Sequence, residues 1–227
     1  MIRRDYLLRM VEKFAQILAR IRELSAARQF ADAEVILHDS FLELGAGGPE
    51  AVAKMTETEL LSRLSINDPT HVLRAKVAMI ATLLEEAAQL HARQGRADQV
   101  TVCRLKSLNL LLSLELRDAD FELPDFVPNI DHLHAELAAS EVPSQTLAAL
   151  YRHYERIGAY ARAEDTLFEL LEADPGHAGI VAEIKALYER LLRHDDESLA
   201  AGNLPRPEII ASLAELRAKT AKAGPVA

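Results

Sequence analysis

Apolar residues recur every three or four positions along most of this chain, which is the pattern of amphipathic helices. Residues 2–26 show the pattern most regularly, with Ile2, Tyr6, Met10, Phe14, Ile17, Ile21 and Leu24 forming one stripe. A second helix is predicted over residues 30–44. No stretch alternates apolar and polar residues over a useful length, so the pattern predicts an all-α fold.

Capping and turn residues predict where the next helices begin and end. Thr56, followed three residues later by Glu59, has the spacing of a capping box and predicts a helix start. Pro69 suits the first turn of a long helix. Gly95 then turns the chain, and residues 97–116 are predicted to return as an antiparallel helix.

Residues 117–128 contain two prolines and four acidic residues, which predicts an irregular connection. Phe121, Phe126 and Val127 predict that this connection is held against the fold. Beyond it the pattern predicts a short helix that Asn129 caps and that ends near residue 140. Pro143 begins the next helix, and the helix that pairs with it ends at 174–176. A long helix over 177–199 and a last helix over 208–219 are predicted to follow.

The predicted organisation is one continuous domain with four parts. These are helical hairpins over residues 1–117, the connection 118–128, repeats with a capping helix over 129–222, and a disordered tail over 223–227.

Two stretches of the second half repeat each other. A shift of 34 residues superposes five pairs: Leu147 on Val181, Leu150 on Ile184, Tyr154 on Tyr188, Glu155 on Glu189 and Arg156 on Arg190.

Residues 144–177 resemble a tetratricopeptide repeat. They have Gly158 at the turn, Tyr160 two residues later, small Ala163 where the helices cross, and Pro175 at the exit. The resemblance implies antiparallel helical hairpins stacked in a right-handed array. A generic helical bundle that contains one good hairpin is the alternative.

Earlier stretches fit the repeat less completely, namely residues 14–45 and 81–114. The opening MIRRDYLLRMVEKF and the later KSLNLLLSL also resemble an uncharacterised bacterial family of tetratricopeptide-like proteins of unknown function. That resemblance bears on the fold and implies nothing about activity.

Composition narrows the class of protein. The net charge of −9 disfavours a nucleic-acid binder, since the phosphate backbone selects basic surfaces. Cys103 is the only cysteine, so the chain holds no internal disulfide. The N-terminus does not have the apolar run of a secretory signal, and no apolar run reaches the roughly 18 residues of a membrane span. We therefore expect a soluble cytoplasmic protein.

Charge is unevenly distributed along the chain. Residues 1–28 carry seven basic and three acidic residues, a net +4, which leaves −13 for the remainder. The first helix therefore has three interpretations: it packs on the rest of the chain, it exchanges with a second copy to form a homodimer, or it lies on an anionic membrane. The wide apolar stripe and the acidic remainder favour the first two.

The predicted partner-binding residues are arginines. Arg93, Arg156 and Arg190 occupy one template position in successive units, and Arg152 lies on the same predicted inner face. Such a row suits an acidic or carboxylate-bearing protein segment through bidentate pairing. The alternative is a solvated helix face paired with its own Glu155 and Glu189. The clamp for chaperone tails needs lysine and asparagine where this chain has Ala148 and Arg152, so the resemblance does not imply that role.

The sequence contains no recognisable catalytic, metal or cofactor motif. Its eight histidines lack a ligand spacing such as H-E-x-x-H, and Cys103 in a leucine-rich helix is expected to fill the core. We therefore expect no enzyme, no metal and no cofactor, and predict a scaffold or adaptor that binds a protein segment. The alternative is a helical enzyme or small-molecule-binding domain with a dispersed site, which a closed pocket with buried polar groups would favour.

Overall fold

A computed structural model describes residues 2–66, 69–117, 124–175 and 177–223 of the chain. Within these residues every regular element is an α-helix, which confirms the predicted all-α class. The helices are α1 Ile2–Ala26, α2 Phe30–Glu43, α3 Pro49–Lys54, α4 Glu57–Ser65, α5 Thr70–Arg93, α6 Ala97–Arg117, α7 Ile130–Glu136, α8 Ser144–Arg156, α9 Tyr160–Ala173, α10 Ala178–Leu191, α11 Asp196–Ala201 and α12 Arg206–Ala223.

The chain forms two compact units, Met1–Val142 and Pro143–Ala227. The division falls later than the predicted connection over residues 118–128, and α7 belongs to the first unit, where it packs on α6. Residues 118–123 of that connection, including Phe121, lie outside the described residues. Phe126 is held as predicted, because its ring lies 5.0 Å from the ring of Phe14 between centroids.

The hairpin of α5 and α6 forms the centre of the first unit. Gly95 makes its turn with φ of +74°, a conformation that side chains with a Cβ rarely adopt. Helices α1, α2 and α4 also pack on α5, which explains why α5 is buried on nearly all sides. Leu83, Leu84 and Leu108 are fully enclosed there.

The apolar stripe of α1 is used inside the first unit. Phe14, Leu18, Ile21 and Leu24 are at most 4% exposed, and α1 packs on α2 and α5. The stripe therefore packs on its own chain, as the first interpretation expects. Leu8, on the same helix, is 52% exposed, and a homodimer formed through α1 stays a prediction.

Three charged side chains are buried in the α5–α6 hairpin, and each has an opposite charge beside it. Arg22 of α1 donates to the Glu86 carboxylate, and Arg104 Nε lies 3.3 Å from Glu85 Oε2. In the third pair, Lys106 Nζ lies 3.0 Å from Glu57 Oε1. Because an unpaired buried charge is costly, these pairs fix which helices lie together.

The second unit is built on the hairpin of α8 and α9, which Gly158 turns with φ of +77°. Helix α10 packs on α9, and α12 packs on α10 and α11. The end of α11 approaches the hairpin turn closely, because Ala161 N donates to Gly202 O at 3.0 Å. A Cβ on Gly202 would lie 2.3 Å from Tyr160 Cδ2, so only glycine fits there.

The helix starts predicted at Thr56 and Asn129 are confirmed by side-chain caps. Glu59 N donates to Thr56 Oγ1 at 3.2 Å while Thr56 N donates back to Glu59 Oε2 at 2.7 Å, which completes the capping box. Asn129 Oδ1 accepts from Asp131 N at 2.7 Å and begins α7. That helix ends at Glu136, earlier than predicted, because residues 137–139 form turns.

The prediction of a single long helix over residues 177–199 is wrong. The chain forms α10 and then α11, with a break after Leu191. Asp195 causes the restart, since its Oδ1 accepts from Ser198 N at 2.7 Å and caps α11. At the C-terminus Ala223 still belongs to α12, and residues 224–227 of the predicted tail lie outside the described residues.

Candidate functional site

Two places in the molecule bring polar and apolar groups together in an arrangement that suits binding. The first is the surface of α8 and α10 in the second unit, where the predicted arginines lie. We call it the α8–α10 face and define it by Tyr151, Arg152, Glu155, Arg156, Glu183 and Arg190. The second is a cavity in the first unit, described after it.

Arg190 is the centre of the α8–α10 face. Its Nε donates to Glu155 Oε1 at 2.6 Å, and its Nη2 donates to Glu155 Oε2 at 2.9 Å. The same Nη2 donates to Glu183 Oε1 at 3.0 Å. The hydrogen bond that Arg190 donates to Glu155 is the main cause that raises the pKa of Arg190, so the guanidinium stays charged at every accessible pH.

Arg152 lies beside a buried tyrosine on the same face. Its Nε donates to Tyr151 Oη at 3.3 Å, and its guanidinium carbon lies 5.6 Å from the ring centroid. Burial raises the pKa of Tyr151, and the nearby Glu183 carboxylate acts in the same direction. Arg152 itself is exposed, so its charge faces solvent.

Arg156, in the last turn of α8, is also exposed. The face therefore carries three guanidinium groups and two carboxylates. Arg190 forms ion pairs with both carboxylates, Glu155 and Glu183. Glu189, the other predicted partner of the arginine row, lies 3.9 Å from Lys185 Nζ and 3.7 Å from Arg217 Nη2 instead. What the face offers a partner is the pair of exposed arginines, Arg152 and Arg156.

Arg93 belongs to the first unit, at the end of α5, where its Nη1 donates to Ser25 Oγ at 3.1 Å. The predicted alignment of Arg93 with Arg156 and Arg190 stays a prediction. The structure brings Arg152 and Arg190 together around Glu183, and it places Arg156 one residue after Glu155.

The cavity of the first unit has a volume of about 370 Å³ and lies among α2, α3, α5 and α6. We call it the α5–α6 cavity. Its apolar lining consists of Leu37, Pro49, Ala53, Ala87, Leu90, Val102 and Cys103, and its polar lining of Glu34, His38, Glu50, His91, Arg96, Asp98 and Gln99.

One wall of the α5–α6 cavity is a hydrogen-bonded network. Arg96 Nη2 donates to Glu34 Oε1 at 2.7 Å, and Gln94 Nε2 donates to the same oxygen at 3.1 Å. Arg96 Nη1 lies 3.4 Å from His91 Nδ1, which must accept because a guanidinium only donates. Burial, and then the Arg96 charge, lower the pKa of His91, so its ring is neutral at neutral pH.

Cys103 is buried at the bottom of this cavity, as its leucine-rich surroundings predict. Burial raises the pKa of its thiol to about 11, with the Glu85 charge acting in the same direction. Because the thiolate is the nucleophile, this thiol reacts slowly at neutral pH.

Within the described part of the chain, no three His, Cys, Asp or Glu side chains are grouped so that they could hold a metal ion. None of the helices that the structure describes is both long enough and apolar enough to cross a membrane.

Sequence reasoning found the arginines of the α8–α10 face and missed the α5–α6 cavity. The cavity is lined from four helices whose residues lie up to about 70 positions apart, and no local pattern predicts such a space.

The fold and these two places define a helical protein with a charged face and a separate cavity. A family model described as a family of unknown function (DUF6483) matches residues 1–221, and the chain belongs to this family. No curated protein and no solved structure gave a match.

Proposed function

We propose that this protein is a non-catalytic adaptor that binds a segment of a partner protein across α8 and α10. The observation that carries the proposal is the arrangement around Arg190, whose ion pair to Glu155 joins α10 to α8, the first helices of successive predicted repeats. Its second ion pair, to Glu183, lies within α10. A face stabilised in this way keeps its shape while Arg152 and Arg156 remain exposed to a partner.

The charges of the face indicate the kind of segment. Glu155 and Glu183 pair with Arg190, and the guanidinium groups of Arg152 and Arg156 are exposed at the surface of the face. A carboxylate is the group that a guanidinium pairs with bidentately, so we propose that the segment is acidic.

The proposal includes the architecture in which such a face is normally found. The repeat spacing of 34 residues and the turn at Gly158 support tetratricopeptide-like hairpins stacked in a right-handed array. We further propose that the protein works in the bacterial cytoplasm, on the resemblance of its opening and of residues 106–114 to a bacterial family.

Charge reversal tests the adaptor proposal. The tagged full chain, its R152E/R156E variant and an R193E control are used to capture proteins from the native cell extract, and bound proteins are quantified by mass spectrometry. Arg193 is exposed after the end of α10 and outside the face, so it controls for lost positive charge. We expect one set of proteins to bind the wild type and R193E, and to fall at least about tenfold with R152E/R156E.

The same capture with R152Q/R156Q separates lost attraction from new repulsion. We expect an intermediate loss, because neutral glutamine keeps the shape and removes only the pairing. Equal capture by the wild type and R152E/R156E, with both melting at the same temperature, would overturn the proposal.

The α5–α6 cavity favours a second function, the binding of a small molecule. It falls in the size range of ligand sites, about 300–1,000 Å³. The cavity and the α8–α10 face belong to different units, so each function is tested without disturbing the other.

A further inference from the structure

The α5–α6 cavity is large enough for a molecule of about a dozen heavy atoms. Its volume of about 370 Å³ lies within the range of about 300–1,000 Å³ that small-molecule sites occupy. The cavity opens to solvent, since Glu50, Arg96 and Asp98 of its lining are exposed, so a ligand can reach it from the surface.

The interior of the cavity favours an apolar body. Leu37, Ala87 and Leu90 form part of its lining and are at most 3% exposed. Val102 also lines the cavity and is 47% exposed. A ligand that covered Val102 would remove this apolar surface from water.

The charges around the cavity favour a cation. Glu34 is neutralised by Arg96, and the ring of His91 is neutral because burial and Arg96 lower its pKa. Glu50 and Asp98 remain, and neither forms an ion pair with any residue that the structure describes. Both are exposed to solvent in the first turn of a helix, where the helix dipole favours a carboxylate.

One further acceptor lies in the cavity wall. Both hydrogen bonds to Glu34 come to Oε1, from Arg96 and from Gln94. Its Oε2 accepts none from the described part of the chain, so it is available to a donor on a ligand.

We propose that the α5–α6 cavity binds a small organic cation with an apolar body, of the alkylammonium or arylalkylammonium class. The apolar body lies against Leu37, Leu90 and Val102, and the ammonium group lies at the rim near Glu50 and Asp98. The two carboxylates disfavour a ligand of the same shape that carries a carboxylate instead of the ammonium group. The α8–α10 face contributes nothing to this site.

A matched trio of probes tests the class of ligand. 4-Phenylbutan-1-amine, 4-phenylbutan-1-ol and 4-phenylbutanoate share one body and differ in the charge of one end. We titrate each into the ¹⁵N-labelled full chain and follow amide chemical shifts. We expect the amine to bind with a dissociation constant below about 1 mM, the alcohol about tenfold more weakly, and the carboxylate not measurably.

Cys103 reports on the cavity itself. It is the only cysteine and lines the cavity, so an occupant should lower the rate at which a thiol reagent modifies it. We expect a saturating concentration of the amine to slow this reaction at least about fivefold, and the same concentration of the carboxylate to leave it unchanged.

Two variants distinguish the effect of the Glu50 and Asp98 carboxylates from the effect of the cavity volume. E50Q/D98N should weaken amine binding about tenfold and leave alcohol binding unchanged, while D125N/E141Q removes two exposed charges of the same unit and should change neither. A53F, on the half-buried α3 wall, fills the cavity and should abolish binding of both. Melting curves show that each variant is folded before it is used.

The proposal is overturned if the carboxylate or the alcohol binds as tightly as the amine. It is also overturned if no probe shifts the amides of the cavity lining, or if A53F leaves amine binding intact. A result in which E50Q/D98N keeps the full preference for the amine would assign the cation to a different place.

Discussion

Arg190 of α10 donates two parallel hydrogen bonds to the Glu155 carboxylate of α8, at 2.6 Å and 2.9 Å. The two residues are 35 positions apart, close to one repeat length, and each belongs to the first helix of its predicted hairpin. A bidentate pair fixes the rotation of both helices as well as their distance. The positions of Arg152 and Arg156 on α8 relative to α10 therefore depend on this pair.

Replacing Arg190 with methionine should destabilise the second unit. The methionine keeps the apolar stem and leaves Glu155 and Glu183 near each other without a cation. We expect a loss of about 1–2 kcal/mol in the free energy of unfolding, measured by urea denaturation. R193M is the matched control, since Arg193 is exposed and outside the network, and it should change stability by less than about 0.5 kcal/mol. Equal losses for both variants would show that the pair is dispensable.

Replacing Gly202 with alanine should destabilise the second unit more strongly. The new Cβ would lie 2.3 Å from Tyr160 Cδ2 and 2.5 Å from Gly158 O, so α11 must move away from the hairpin turn. We expect a loss of about 3 kcal/mol or more. In G179A the Cβ would meet only the exposed His177 ring, which can rotate, so this control should be neutral or slightly stabilising. A G202A variant as stable as G179A would contradict the close approach.

The stability of the second unit should depend on the protonation of Glu164. Burial raises the pKa of this carboxyl above its ordinary 4.5, and Glu208 and Asp165 act in the same direction, while the hydrogen bond from Tyr188 opposes them. The folded chain therefore binds this proton more tightly than the unfolded chain does. Its contribution to stability is present below pH 4.5 and is lost as the pH rises through the raised value.

Glu164→Gln tests this dependence, because the glutamine oxygen still accepts from Tyr188 Oη without a charge. Between pH 4.5 and neutral pH we expect the wild type to lose stability relative to E164Q. Glu172 is exposed on the same helix, so E172Q controls for the loss of one negative charge and should track the wild type. A constant difference between the wild type and E164Q across this range would contradict the buried carboxyl.

Two leucines of α1 test whether the helix packs on its own chain. Leu18 is 2% exposed and Leu8 is 52% exposed. L18A should cost about 2–5 kcal/mol in the free energy of unfolding of the first unit, and L8A less than about 0.5 kcal/mol. A larger loss for L8A, together with dissociation of an oligomer in sedimentation, would show that α1 packs on a second copy instead.

Local patterns predicted most of the helices and their starts. The three- and four-residue spacing of apolar positions predicted α1, and the capping box of Thr56 and Glu59 predicted the start of α4. Both features depend only on residues within one or two helical turns. The break between α10 and α11 was missed although Asp195 and Ser198 have N-cap spacing, since the apolar residues on either side continue one helical period.

Long-range pairings were harder to predict. The row of Arg156 and Arg190 followed from the repeat, but the pairing of Arg190 with Glu155 depends on how α8 and α10 are rotated. The α5–α6 cavity exists because the side chains of four helices do not fill the space between them. A single sequence carries no local signal for such a space.

The most direct test of the adaptor proposal is site-specific photo-crosslinking in the cell that naturally makes this protein. Benzoylphenylalanine replaces Ala148 on α8, Ala182 on α10, or Glu172 on α9 as the control, in otherwise unchanged full chains. The account predicts that Ala148 and Ala182 crosslink to the same partner protein and that Glu172 does not. Crosslinking to that partner from Glu172 alone, or to no protein from Ala148 and Ala182, would contradict it.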